Sequence, residues 1–371
     1  IGIRWGGIAG DGLQSMGISL AKYFNKLGFF SIGFPGTQST IRGGHIWFHL
    51  EISDDSFHSY DRTSDILIAL NEQSVEIHLT DLKIGGILII NSDTTSTEKY
   101  DSEIKRKKIL VFNVPMTTIT RKIDKKLDIL KNTVIIGFLL KLLNLDRYEY
   151  SNSIKIYFKS KSKVINANIE ALERGYLLFD DLSFDPSTYK LEPGKLQKNE
   201  NIIITGNEAI ALGAIVSDLK FLAQYPITPA SSILKFIAQH ADKFKIVVKQ
   251  VEDEISAIIS ITAASWTGVR SMTATSGPGF SLMAEGLGYA GMTETPIVIV
   301  LSQRAGPSTG VPTKIEQADL LPALFSSHGE FPRCIIAPRN VQECFDATVK
   351  AFDIADRYSL PVIILTDFSL S

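Results

Sequence analysis

Short apolar runs alternate with helical segments along this chain, and that alternation constrains its fold more than any other feature. In the first half, strand-like runs recur at Ile66–Leu70, Gly86–Ile90 and Lys108–Val114. Helical patterns cover Leu13–Leu27 and Thr133–Leu145. Strands that alternate with helices in this way are typical of βαβ units on a mostly parallel sheet.

The second half repeats the alternation. Its predicted elements, in order, are a strand at 202–205, a helix at 206–222 with Asn207 near its N-cap, a helix at 231–239, a strand at 246–250, a helix at 254–268, a strand at 270–275, a helix at 279–292, a strand at 296–301, a helix at 341–358 and a strand at 361–366. The sequence therefore predicts the α/β fold class, with two doubly wound, mostly parallel sheets.

A break in the pattern separates the two halves. The stretch Asp180–Asn201 contains two prolines and a glycine among lysine and asparagine clusters, a composition typical of a linker. We therefore predict a first domain at 1–185, a linker at 186–200 and a second domain at 201–371. Because the chain starts at isoleucine rather than methionine and stops just after a predicted strand, trimming at both ends is expected.

Composition narrows the classes of function. The net charge is only −2, so neither nucleic acid nor a membrane is expected as a partner. The longest apolar runs, at 85–90 and 296–301, fall far short of the roughly 20 residues of a membrane span. The N-terminus lacks the pattern of a secretory signal, so a cytoplasmic location is expected. Cys334 and Cys344 are too few for a four-cysteine iron–sulfur cluster.

Several polar residues of the second half directly follow predicted strands. They are Thr228, Glu254, Ser276–Gly279 and Arg304. In open α/β sheets, ligands bind beyond the carboxyl ends of the strands. We therefore predict that these residues form one site.

The prolyl loop is Tyr225-Pro226-Ile227-Thr228-Pro229. Proline fixes φ, so two prolines stiffen this loop around the Thr228 hydroxyl. A rigid loop that presents a hydroxyl suits the orientation of a substrate or cofactor. The alternative is a plain turn whose hydroxyl caps the following helix.

Three acidic residues, Glu252, Asp253 and Glu254, lie together at a predicted helix start. The helix dipole alone explains one or two acids there. The apolar segment that follows, Ile255–Ile259, indicates that one acid points inward, and we choose Glu254 over Glu252 as the catalytic candidate. A buried acid has a raised pKa and can share a proton with a ring nitrogen.

Small residues follow the strand at 270–275, among them Thr275, Ser276 and Gly277. They let a ring or a backbone approach closely, and their hydroxyls can line a cofactor site. The alternative is an ordinary strand-to-helix turn.

Arg304 and Thr313 flank a loop rich in glycine and proline. An arginine that follows a buried strand is well placed to fork onto a substrate carboxylate. We therefore predict that Arg304 and Thr313 bind substrate, against the alternative of a surface arginine.

The glycine turn Gly6–Gly12 in the first half is equally consistent with anion or coenzyme binding and with a tight turn. As a dinucleotide fingerprint it fails, because no acid ends the next strand near Phe30–Ile32. Thiamine enzymes hold Mg²⁺ with Gly-Asp-Gly and a later Asn, but no Asn follows Asp11 at that distance. We predict no metal site in this chain. Arg42, before paired glycines, is equally consistent with binding a phosphate or another subunit and with a structural loop. His45 is interpreted as a structural histidine rather than a catalyst.

The second half closely resembles the pyrimidine-binding α domain of the 2-oxoacid:ferredoxin oxidoreductases. The matching runs are Gly206–Ala209, Tyr225–Pro229, Glu252–Glu254, Met272–Phe280, Gly291–Pro296, Gly306–Thr313 and Ser327–Pro332. The first half looks like the γ domain of the same enzymes, fused upstream. The resemblance implies that longer family members continue into a further C-terminal domain.

This resemblance implies a coenzyme A-dependent oxidative decarboxylation of 2-oxoacids on thiamine diphosphate, with electrons passing to ferredoxin. It implies that Glu254 bonds N1′ of the aminopyrimidine, which helps deprotonate C2 of the thiazolium. Thr228 and Arg304 would hold the substrate, with Thr313 nearby. Thiamine diphosphate would be shared with a β subunit, and Mg²⁺ and the [4Fe–4S] clusters would lie on that partner.

Three alternatives stay open at this point. The fused arrangement resembles enzymes for 2-oxoglutarate or a broad range of 2-oxoacids, but a pyruvate-specific enzyme is a near alternative. A noncatalytic paralogue could keep the fold as an assembly or ligand-binding subunit. An NAD-dependent dehydrogenase would need the ribose-binding acid that the first half lacks.

Overall fold

A computed structural model of the protein describes residues 1–36, 44–124, 127, 129–158, 161–178, 191 and 201–371. These residues divide into two compact units, Ile1–Ile203 and Ile204–Ser371. Apart from Leu191, the predicted linker at 186–200 lies outside the described residues. The predicted domain boundaries at 185 and 201 therefore stay a prediction.

The first unit contains one sheet and the helices that flank it. Its elements are β1 (Gly2–Ile8), α1 (Leu13–Lys26), β2 (Phe30–Gly36), β3 (His45–Ser53), β4 (Ser64–Ala69), α2 (Glu72–His78), β5 (Leu82–Asn91), α3 (Asp101–Lys107), β6 (Leu110–Val114), α4 (Met116–Ile123), α5 (Leu130–Leu142), α6 (Arg147–Phe158) and α7 (Ser162–Leu178). The strand order is β2-β3-β1-β4-β5-β6.

This first sheet is parallel over one half and antiparallel over the other. β1, β4, β5 and β6 pair in parallel, whereas β3 pairs antiparallel with both β1 and β2. The antiparallel edge has a physical reason: the segment between Gly36 and His45 is shorter than the crossover of about a dozen residues that parallel neighbours need. The predicted helices at Leu13–Leu27 and Thr133–Leu145 correspond to α1 and α5, within a few residues.

The second unit is fully parallel. Its elements are α8 (Gly206–Val216), β7 (Phe221–Gln224), α9 (Ser231–Phe244), β8 (Val247–Gln250), α10 (Glu254–Trp266), β9 (Ser271–Thr275), α11 (Gly277–Leu282), α12 (Ala284–Met292), β10 (Val298–Gln303), α13 (Leu320–Phe325), β11 (Cys334–Ile336), α14 (Val341–Tyr358) and β12 (Val362–Asp367). The strand order is β11-β12-β10-β9-β7-β8, and every pair is parallel.

Two apolar clusters cover the two faces of this second sheet. Val298 and Val300 pack with the side chains of α8, α9 and α14, whereas Ile299 and Leu301 pack with those of α10, α11 and α12. Successive side chains of a strand point to opposite faces, so β10 is buried on both sides. The predicted α/β class with two doubly wound, mostly parallel sheets is confirmed.

Two predicted elements at the start of the second unit are wrong. The predicted strand at 202–205 is irregular chain. Thr205 is the N-cap of α8, so Asn207 lies two residues after the cap, near it as predicted. The Thr205 hydroxyl accepts from the N–H of Glu208 at 3.2 Å, and the Glu208 carboxylate accepts from the N–H of Thr205 at 3.0 Å, which is a capping box. The helix predicted at 206–222 ends at Val216 because the left-handed Asp218 (φ 59°) turns the chain into β7.

Candidate active site

The predicted site residues of the second unit follow four strands that are neighbours in the sheet. β8, β7, β9 and β10 lie side by side, and they are followed in turn by Glu254, Thr228, Ser276 and Arg304. Because these strands are parallel, the loops that carry these residues leave from the same edge of the sheet.

Glu254 is the first residue of α10 and only 5% of its side chain is exposed. The neighbouring acids have other places: Asp253 is the N-cap, where its carboxylate accepts from the N–H of Ser256 at 2.7 Å, and Glu252 is exposed. Burial raises the pKa of Glu254, while its own backbone N–H and the charge of Arg304 oppose that rise. Of the three acids, Glu254 is therefore the one whose surroundings favour the protonated form.

The first turn of α11 lies directly against the Glu254 carboxyl group. A Cβ at Gly279 would collide with both the Thr275 hydroxyl and the Glu254 carboxylate, so only glycine fits there without displacing them. Thr275 and Ser276 are fully buried, and among the described residues the Ser276 hydroxyl has no hydrogen-bond partner. A buried hydroxyl without a partner is unusual in a folded protein and indicates a place where a ligand can bond.

Arg304 is buried, with 7% of its surface exposed, so it is not a surface arginine. One terminal nitrogen donates to the carbonyl of Thr228 at 2.7 Å, and the other donates to the carbonyl of Thr309 at 3.1 Å. Burial lowers the pKa of Arg304, and Asp319 and Glu254 counteract that effect. The guanidinium therefore ties the prolyl loop to the glycine- and proline-rich loop, and its buried Nε has no partner among the described residues.

Two polar side chains from outside the prolyl loop bond the backbone at its C-terminal end. Asn207 donates to the carbonyl of Pro229 at 2.9 Å, and Gln224 donates to the carbonyl of Ala230 at 3.1 Å. Both side chains are buried. The sequence places Asn207 near a helix cap, and nothing in it indicates a bond to a carbonyl 22 residues further along the chain.

The other residues of the loop are less enclosed. Tyr225 is 39% exposed, Pro226 and Ile227 are half-buried, and the Thr228 side chain is exposed. Thr228 thus meets Arg304 through its carbonyl, and its hydroxyl stays a candidate for contact with a ligand.

A cavity of about 390 Å³ opens beside Arg304, within the range of small-molecule sites. Its lining is Gly277, Pro278, Ser281, Arg304, Ala305, Gly306, Pro307, Ser308, Glu316, Ala318 and Asp319. Thr313, predicted to contact substrate, lies half-buried in a turn of the same loop and outside this lining. Glu316 and Asp319 were not predicted from the sequence, because acids in a polar loop are usually solvated.

The candidates of the first unit have structural roles where they are described. The Asp11 carboxylate accepts from the N–H of Ile8 at 2.9 Å, and Gly12 begins α1 with φ 77°. His45 is buried, with its Nε2 2.7 Å from Nε2 of His78. Arg42 lies outside the described residues.

Metal-binding clusters and membrane-spanning helices are both absent from the residues that the structure describes. Within those ranges, no three His, Cys, Asp or Glu side chains converge as a metal site would require. No helix there combines the length and apolar character needed to cross a membrane.

Both halves of the chain match family models. Residues 212–371 match the thiamine diphosphate-binding domain of pyruvate flavodoxin/ferredoxin oxidoreductases, and residues 2–178 match a pyruvate ferredoxin/flavodoxin oxidoreductase domain. The fold and the site thus define a thiamine diphosphate-binding α/β domain that follows an oxidoreductase domain in one chain.

Individual relatives have more specific names than the family models. The chain is 33% identical over 396 residues to the 2-oxoglutarate oxidoreductase subunit KorA of Mycobacterium tuberculosis, covering 100% of this chain and 60% of the relative. Over 168 residues, 45% of each chain, it is 50% identical to the 2-oxoglutarate synthase subunit KorA of Methanothermobacter thermautotrophicus.

A solved structure matches the whole chain. It is a 2-oxoglutarate:ferredoxin oxidoreductase from Magnetococcus marinus with 2-oxoglutarate, coenzyme A and succinyl-CoA bound, with a TM-score of 0.89, 33% identity, and coverage of 100% of this chain and 64% of that one. The chain belongs to the 2-oxoacid:ferredoxin oxidoreductase family, as its resemblance implied. It spans less than two thirds of the length of these relatives.

Proposed function

We propose that this chain acts as the α subunit, with a fused γ domain, of a 2-oxoacid:ferredoxin oxidoreductase. With a β subunit it would convert a 2-oxoacid and coenzyme A into an acyl-CoA, CO₂ and reduced ferredoxin. The observation that carries this proposal is the burial of Glu254 against the first turn of α11, on the sheet edge that also carries the buried Arg304.

The second unit fits the pyrimidine half of thiamine diphosphate. Glu254 would hold a proton at the ring nitrogen N1′, for which a buried carboxyl with a raised pKa is suited. The unpartnered Ser276 hydroxyl and the small residues Thr275 and Gly277 would line the ring, with Tyr225–Thr228 on the prolyl loop. When bound, thiamine diphosphate supplies a carbon nucleophile and accepts the electrons released by decarboxylation.

Arg304 would bind the substrate carboxylate beside that ring. Two of its nitrogens are held by the carbonyls of Thr228 and Thr309, which fixes the plane of the guanidinium before substrate arrives. The remaining N–H groups and the exposed Thr228 hydroxyl are left to bond the carboxylate and the 2-oxo group. Thr313, on the same loop, stays a candidate for contact with the distal end of the substrate.

The metal, the pyrophosphate and the [4Fe–4S] clusters would belong to the β subunit. An exposed apolar surface beside the cavity supports docking of a partner there: in α13, Leu320, Leu321 and Phe325 are 51%, 65% and 74% exposed. Contiguous exposed apolar side chains commonly mark interaction sites. The low cysteine count supports the cytoplasmic location expected from the sequence.

The substrate proposed is 2-oxoglutarate or a broad range of 2-oxoacids. Two relatives carry 2-oxoglutarate in their names, and the Magnetococcus enzyme was solved with 2-oxoglutarate, coenzyme A and succinyl-CoA bound. The names of the matching family models support a pyruvate-specific enzyme as the alternative.

The proposal is tested with Glu254→Gln in the complex of this chain with its β subunit. The variant keeps the shape of the side chain and removes its ability to ionise, so CO₂ release should fall by at least about 100-fold, as expected for the loss of a general acid–base group. Glu252→Gln is the matched control, because it changes the exposed neighbouring acid and should retain activity. Wild-type turnover by Glu254→Gln would overturn the assignment, as would a wild-type complex that decarboxylates none of a panel of 2-oxoacids.

A further inference from the structure

Asp319 lines the same cavity as Arg304, at the far end of the loop that Arg304 begins. Its backbone N–H donates to the Gln303 side-chain carbonyl at 2.9 Å, so both ends of the loop are joined next to β10. This bond holds the backbone of Asp319 in place, so that the residue forms part of the cavity wall.

One oxygen of the Asp319 carboxyl group is buried without a donor from the part of the chain that the structure describes. Its Oδ2 is buried and has no hydrogen-bond partner among the described residues. Both carboxyl oxygens lie close to Gly277 at the start of α11, since a Cβ added there would lie 2.7 and 2.9 Å from them. A buried carboxylate oxygen without a donor is costly when ionised.

The charged groups that act on Asp319 are few. Burial and the neighbouring Glu316 raise its pKa, and Arg304 lowers it. The Glu316 carboxylate accepts from the N–H of Gly306 at 3.1 Å, which holds it on the loop. The α11 residues on the opposite wall, Pro278 and Ser281, carry no charge. Asp319 also acts on Arg304: it raises the pKa of the guanidinium more than Glu254 does.

We propose that Asp319 is a positioning residue that competes with the substrate carboxylate for the positive charge of Arg304, and so sets the pH dependence of substrate binding. This inference rests on the proposed function, because it takes the ligand of Arg304 to be a 2-oxoacid anion. Ionised Asp319 neutralises part of the guanidinium charge and repels the incoming anion. Protonated Asp319 does neither, and it can donate a hydrogen bond.

The sign of the effect follows directly. A 2-oxoacid stays anionic at neutral and mildly acidic pH, so its charge does not change while Asp319 titrates. As the pH falls through the raised pKa of Asp319, the competing charge disappears and KM for the 2-oxoacid falls. The group acts through Arg304 and does not touch the reacting carbon, so kcat should be little affected.

The test compares KM and kcat of the assembled complex across mildly acidic to mildly alkaline pH, with a viologen dye as the electron acceptor. Asp319→Asn should lower KM at the alkaline end of this range, where the wild-type carboxyl is ionised, and should flatten the KM–pH profile. Asp319→Glu keeps the ionisable group and should keep a sloping profile. Glu285→Gln, which removes an exposed acid on α12 outside the cavity lining, should leave the profile unchanged.

The outcomes separate the two proposals. If the wild-type complex turns over 2-oxoacids but the KM–pH profile of Asp319→Asn follows that of the wild type, the positioning role is refuted and the proposed function stands. A higher KM for Asp319→Asn at every pH, with unchanged thermal stability, would also refute it. If the wild-type complex turns over no 2-oxoacid, the proposed function fails and this inference fails with it.

Discussion

Gly279 offers a sharp test of how tightly the catalytic candidate is held. Its backbone is helical, within α11, so alanine can adopt the same conformation. The added methyl group would collide with the Thr275 hydroxyl and the Glu254 carboxylate, and would lie 2.8 Å from the carboxyl carbon of Glu254. To reach ordinary contact at 3.4 Å, that carbon has to retreat by 0.6 Å.

Two opposing contributions set the expected change in the free energy of unfolding for Gly279→Ala. Overpacking a buried site costs about 1–3 kcal/mol, and replacing glycine by alanine in a helix returns about 1 kcal/mol. The net loss in the free energy of unfolding should therefore be no more than about 2 kcal/mol. CO₂ release should fall by up to about 100-fold, or about 2.7 kcal/mol, because that is the cost of misplacing a catalytic group by about 1 Å.

The assay is CO₂ release by the assembled complex, together with thermal unfolding of the same variant. Gly306→Ala is the matched control: it adds a methyl group at the cavity where an ideal Cβ meets no atom within 4 Å. It should keep near wild-type activity. If Gly279→Ala is as active as Gly306→Ala, the Glu254 carboxyl does not need the position that the structure gives it, and the reasoning is refuted.

Two further predictions concern substrate and partner binding. Arg304→Ala should raise KM for 2-oxoacids by at least about tenfold, since a charge-assisted hydrogen bond contributes about 1.5–3 kcal/mol. Thiamine diphosphate affinity, measured by equilibrium titration, should change little. Unaltered kinetics would remove Arg304 from the substrate site. Leu321→Asp with Phe325→Asp should abolish co-purification of the β subunit, because both apolar side chains are more than half exposed on α13. The control is Tyr358→Asp, at a residue 62% exposed on α14, which should leave the complex intact. Equal recovery of the β subunit with the wild type, the α13 variant and the control would rule out α13 as the docking surface.

The choice of Glu254 from three adjacent acids was possible from the sequence for a local reason. A helix start offers one place for a capping side chain, which Asp253 takes, and the apolar residues after Glu254 draw the next side chain inward. Glu252 precedes the helix and stays in solvent. Local pattern alone therefore distinguishes the buried acid, although its role toward a cofactor remains a prediction.

The partners of Arg304 could not be read from the sequence. Its bonds to the carbonyls of Thr228 and Thr309 depend on the path of two loops, and backbone carbonyls carry no sequence identity. Asp319 was missed for a similar reason, because only the folded loop brings it back beside Gln303.

The missed strand β7 shows the limit of periodicity. The helical pattern of α8 runs on into Phe221 and Leu222, and the boundary is set by the left-handed backbone of Asp218, where glycine would be the usual signal. Strand positions elsewhere, such as β10 and β12, follow from apolar runs that are buried on both faces.

The central claim is that the Glu254 carboxyl group bonds the ring nitrogen N1′ of thiamine diphosphate, and a binding cycle on the assembled complex tests it without relying on turnover. The affinities of thiamine diphosphate and of an analogue with a C–H group in place of N1′ are measured for the wild type and for Glu254→Gln. A hydrogen bond to a charged group contributes about 1.5–3 kcal/mol, so the wild type should prefer thiamine diphosphate by at least about tenfold, and Glu254→Gln should lose most of that preference. An equal preference in both proteins would contradict the account.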